Sequence, residues 1–180
     1  MVALLVPLLL LAALGFALSV AAHIASIAGI TLPGGKAVWL LHIGVFVVWL
    51  PTVVIAIRVT RGERRKDFWK VVLSGCPPWM RGLAYGLIAY AVVNFIYFVV
   101  TATAIPKGHH IMSGDPPPAI IRGFSGHWMI FYGAAFMTLY SVVMKRELLR
   151  GKFCPRGHAI SVTDEFCPQC GESLAGVAGR

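Results

Sequence analysis

Four stretches of this chain carry no charged side chain: residues 2–35, 37–57, 82–106 and 123–144. At 1.5 Å of rise per residue, about 20 apolar residues in a helix cross the roughly 30 Å of hydrocarbon in a bilayer. Four such runs leave little of a 180-residue chain to form anything else. The composition agrees, with 58% hydrophobic and 13% charged residues, against about 25% charged in soluble domains. The sequence therefore predicts an all-α membrane protein. A four-transmembrane-helix bundle fills residues 1–150, with spans at about 5–31, 37–58, 82–106 and 122–145, and a small polar module follows at 151–180.

Orientation comes from the connectors. Residues 58–81 hold seven of the sixteen Lys and Arg residues against only Glu63 and Asp67, and six more follow the fourth run. The remaining connectors hold Lys36, Lys107 and Arg122. Positive charge collects on the cytoplasmic side of membrane proteins, so the bias of thirteen to three places both termini in the cytoplasm. The expectation is a multi-pass protein of the cell's inner membrane. In a soluble protein a net charge of +9 would suggest nucleic acid. Here the charge flanks apolar runs, where it orients spans and meets anionic lipid, so nucleic acid is not expected as a partner.

The first run lacks a basic n-region and is too long for a signal-peptide core, so it reads as a retained span. Ala21, Ala25 and Gly29 form a small-xxx-small row suited to close helix approach. Pro51 should kink the second span, and Asn94, midway along the third, should hydrogen-bond a neighbouring helix. Residues 67–73 suit the interface, with Phe68, Trp69 and Trp79 at head-group level. Cys76 stands apart from the other three cysteines and reads as a free thiol.

After Lys152 the chain turns polar and punctuated. Cys154-x3-His158 is followed by Cys167-x2-Cys170, two pairs of soft ligands on tight turns, which meets the demand of a tetrahedral Zn²⁺ site. Pro155 and Pro168 follow the first Cys of each pair, while Gly157 and Gly171 supply backbone freedom. The stretch resembles the zinc-ribbon family, whose paired CPxCG knuckles close on one metal. Cys167-Pro-Gln-Cys170-Gly171 matches the knuckle residue for residue, while in the first pair His158 stands one place later than the second Cys would. The resemblance implies a structural Zn²⁺ held by Cys154, His158, Cys167 and Cys170, on a module that docks a cytoplasmic protein.

A second constellation lies in the spans. Helical rise puts His23, His42 and His127 at a shared depth in the outer leaflet, on three different helices, with His109 and His110 in the connector above. Imidazoles so placed can ligate a b-type haem or a metal ion. Otherwise they hydrogen-bond between helices, to carbonyls, Ser26, Ser125 or water. No Asp or Glu lies within a span, which counts against a proton-coupled carrier. The leading expectation is a non-catalytic accessory or scaffold subunit, bound to lipid, to other membrane subunits and, through its ribbon, to a cytoplasmic partner. The alternative is a redox subunit holding haem b or metal at His23, His42 and His127.

Overall fold

The protein was analysed as a computed structural model that describes residues 2–32, 35–61, 63–102, 116–149, 153–158, 160 and 164–174. Five α-helices follow in order: α1 (Val2–Ile27), α2 (Trp39–Val59), the short α3 (Phe68–Val72), α4 (Pro78–Ala102) and α5 (Pro118–Met144). All but α3 are long and apolar enough to cross a membrane. Among the described residues there is no strand, and an antiparallel bridge joins Phe166 to Ser173.

The helix ends differ from the charge-based boundaries for local reasons. The first span stops at Ile27 because Gly29 turns left-handed, at φ 70°. The Gly29 amide then bonds the Ser26 carbonyl and the Ile30 amide the Ala25 carbonyl, the pair of bonds that closes a Schellman motif. At the other two starts, Pro78 and Pro118 are the first helical residues, a position where the missing N–H costs nothing. Arg81 thus lies inside the first turn of α4, and its Nε turns back to donate to the Cys76 carbonyl at 3.1 Å.

Helix α5 is the centre of the bundle, and α1, α2 and α4 each pack on it. It is the least apolar of the four spans and the most buried, as expected of a helix shielded from lipid by its neighbours. The three outer helices meet it through seams spaced alternately three and four residues apart. In α1 the seam is Leu5, Leu8, Ala12, Gly15, Ser19, Ala22 and Ser26; in α2 it is Leu41, Val45, Val48, Thr52, Ile55 and Val59. Met80, Ala84, Leu87, Ala91, Asn94 and Phe98 form the seam of α4. This period of 3.5 belongs to shallow left-handed packing. Lipid gives no hydrophobic drive between helices, so close fit and interhelical hydrogen bonds must hold them. The close approach in α1 therefore runs through Ala12, Gly15, Ser19 and Ala22, while Ala21 and Gly29 of the expected row are exposed.

Glycines on α5 receive the bulk of α4: a Cβ on Gly123 would strike Phe98, one on Gly126 Asn94, and one on Gly133 Leu87. Asn94 donates to the Arg122 carbonyl at 3.2 Å, the interhelical bond the sequence suggests, although within Pro78–Ala102 it stands on the C-terminal side of the helix's middle. At the opposite end the turn before α4 docks on α5. The Gly75 amide donates to Ser141 Oγ at 2.9 Å, and the Cys76 thiol to the Met137 carbonyl at 3.2 Å. Val71, Val72, Leu73, Cys76 and Met80 are buried there, so the second half of the basic connector is packed structure. After α5 a 3₁₀ turn, Arg146–Leu149, folds Leu148 and Leu149 against the main core. The chain therefore leaves the bundle at the same end as the 58–81 connector.

Candidate metal centre and the buried histidines

Two knuckles bring the tail's ligands together. In the first, the Gly157 amide bonds the Cys154 carbonyl at 2.8 Å and the Cys154 amide bonds the His158 carbonyl at 2.9 Å. In the second, the Gly171 amide bonds the Cys167 carbonyl and the Cys167 amide the Glu172 carbonyl, each at 2.8 Å. Gly157 and Gly171 are both left-handed, at φ 80° and 71°, which is why glycine stands at each turn. The knuckles differ in where the second ligand sits. Cys170 precedes its left-handed glycine, whereas His158 follows Gly157, and the longer imidazole reaches back to the same centre.

The ligand atoms of Cys154, His158, Cys167 and Cys170 all lie within 4.8 Å of one another. Cys154 Sγ stands 3.8 Å from Cys170 Sγ and 3.6 Å from His158 Nδ1, and Cys167 Sγ stands 3.7 Å from that nitrogen. Zinc bonds of about 2.3 Å to sulfur and about 2.0–2.1 Å to nitrogen, at tetrahedral angles, require S···S edges of about 3.8 Å and S···N edges of about 3.5–3.6 Å. The donor set and the spacings fit that polyhedron. Among the described residues, Leu174 and Ile160 pack with the ligands in this cluster, little apolar surface to hold so short a segment together unaided. An ion pair, Arg156 Nε to Glu172 Oε2 at 3.2 Å, ties one knuckle to the other.

The span histidines meet different partners. His23 is buried between α1, α4 and α5, with Nδ1 at 2.8 Å from Ser125 Oγ and Nε2 at 2.5 Å from the Tyr90 hydroxyl. Both ring nitrogens are therefore engaged, and a metal at His23 would have to displace one of these bonds. Ser125 is a hydroxyl the sequence suggests; Ser26 instead bonds the His23 carbonyl within its own helix, at 2.7 Å. His42 accepts from the Trp128 indole at 3.0 Å, between α2 and α5. The rings of Trp39, Phe46, Phe124 and Trp128 surround it at 5.8–6.4 Å. His127 lies on the exposed side of α5 against Phe131, with centroids 4.7 Å apart. His109 and His110 lie outside the described residues. Tyr90 and Trp128 escaped sequence reasoning because an aromatic on a span reads equally as a belt residue or as packing.

Comparison with protein-family models finds no match, and no curated protein or solved structure matches the chain. What the molecule does must therefore be argued from its own geometry.

Proposed function

We propose that this protein is a non-catalytic accessory or scaffold subunit of a larger membrane complex. Four spans anchor it in the inner membrane, and a zinc-ribbon module at its C-terminus docks a protein partner on the cytoplasmic side. The observation that carries this is the Cys₃His cluster itself. With Cys154, His158, Cys167 and Cys170 all within ligand distance, zinc there has four protein donors and no open position for a substrate or an activated water, the mark of a structural site. The metal's contribution is to fold the tail. The bundle supports the same reading, since its four spans contain no Asp or Glu and His23, His42, Asn94 and Tyr132 bond neighbouring helices. The cytoplasmic placement rests on the bias of basic residues.

The test is purification through an N-terminal tag in mild detergent, followed by native mass measurement. The wild type should run in an assembly larger than its 19.5 kDa chain, and Cys170→Ser should release that partner while the four-span protein remains folded. A wild type that is alone at every concentration tested, or a partner retained by a zinc-free variant, would reject the docking role.

A further inference from the structure

We propose that Arg122, on the face between α4 and α5, binds the phosphate of a phospholipid headgroup. The residue lies four positions after Pro118, the first residue of α5, and so about 6 Å along the helix, at the boundary between headgroups and acyl chains. An isolated guanidinium at such a depth is costly and is retained where a counter-charge meets it. The sequence has one acid on this side of the bundle, Asp115, which lies outside the described residues. Among the described residues no carboxylate pairs with Arg122.

The guanidinium is nevertheless held in one place. Its Nε donates to Asn94 Oδ1 at 3.4 Å, and its central carbon lies 3.9 Å from the centroid of the Tyr97 ring. Asn94 is itself fixed, being 4% exposed and donating to the Arg122 carbonyl at 3.2 Å. Stacking takes one flat face and Nε takes one edge, which leaves the terminal NH₂ groups without a partner among the described residues. Tyr97 is 47% exposed on the lipid-facing side of α4, so the pair stands at the bundle surface. A planar guanidinium at fixed orientation matches two oxygens of a phosphate. At this depth the phosphate available is that of the surrounding phospholipid. The inference is independent of the docking role and of which leaflet this end faces.

Native mass spectrometry of the full-length protein in detergent tests it, with equal amounts of phosphatidylglycerol, phosphatidylethanolamine or phosphate-free monogalactosyl diacylglycerol. Both phospholipids should be retained, and the glycolipid about tenfold less, the worth of one charge-assisted hydrogen-bonded contact. Arg122→Gln should lower phospholipid retention to the glycolipid level. Excess inorganic phosphate should not compete, because it lacks the acyl anchor. Equal retention of glycolipid and phospholipid by the wild type would overturn the proposal. So would unchanged retention by Arg122→Gln, and displacement by inorganic phosphate would point to a free-anion site instead. Should Arg122→Gln fail to fold, the wild-type comparison decides alone, and Tyr97→Leu should weaken retention by releasing the stacked guanidinium.

Discussion

The ring of Tyr132 occupies the space a side chain at Gly15 would fill, and its hydroxyl donates to the Leu41 carbonyl at 2.8 Å. One residue of α5 thus fastens both α1 and α2, and a Cβ on Gly44 would meet the same hydroxyl group. Gly15→Val should destabilise the bundle by about 1–3 kcal/mol through overpacking. Tyr132→Phe, which keeps the ring and loses one interhelical bond, should cost about 0.6 kcal/mol. Thermal unfolding in detergent, followed by tryptophan fluorescence, gives the order; an equal or reversed effect would show that the hydroxyl matters more than the fit.

Replacing His23 by Leu removes the acceptor or donor that Tyr90 and Ser125 share. The loss should be about 0.6 kcal/mol per bond and at most about 1.7, the average and the largest value found for hydrogen bonds between membrane helices. A double-mutant cycle of His23→Leu with Tyr90→Phe should give a coupling in the lower part of that range. The purified wild type should also show no Soret absorption. A Soret band lost in His23→Leu would restore the haem alternative.

Elemental analysis should find one zinc per chain. Cys167→Ser and Cys170→Ser should each abolish it, and His158→Cys should retain it more weakly, because a shorter side chain must span the same distance after Gly157. Acid should release the metal, since protons compete for the three thiolates and the imidazole. Circular dichroism should show the helices unchanged by metal loss, because helices in lipid satisfy their own backbone. A zinc-free wild type would remove the metal site.

Cys76 should resist thiol reagents in the folded protein. Burial pushes its thiol above the ordinary range, with Arg81 and Ser141 offsetting part of the effect, and its Sγ is bonded to Met137. The folding penalty from burying this group is absent below the ordinary thiol pKa and grows as pH rises past it. Maleimide labelling at pH 8 should be slow until denaturant is added. Rapid labelling of the native protein would mean that the turn at Gly75 opens readily.

The four spans were legible because charge-free runs of that length have few other uses, and the cluster was legible because Cys and His at those spacings have almost none. The packing order was not. Pro78 and Pro118 stand before the charge-free runs at 82–106 and 123–144, although proline is well suited to the first helical turn. The central place of α5 is visible in Ser125, Gly126, Gly133, Thr138 and Ser141 only once a helix poor in apolar bulk is seen as a shielded one. The choice between Ala21–Ala25–Gly29 and the true seam at Ala12, Gly15, Ser19 and Ala22 needs the partner, since both rows are small. For the histidines, depth could be read from helical rise, but which way each ring faces depends on Ser125, Tyr90 and Trp128 from other helices.

The hub of the bundle is the last of these four spans to leave the ribosome. When α1, α2 and α4 have entered the membrane, α4 lacks the helix it packs on most, because among the described residues its backbone approaches only that of α5, while Tyr90 reaches α1 through its side-chain bond with His23. Until Met144 emerges, Asn94 and the seam of α4 face lipid or whatever insertion machinery shelters them. Assembly around α5 is therefore deferred until α5 is made, and a chain cut short before it leaves α4 without its main packing partner.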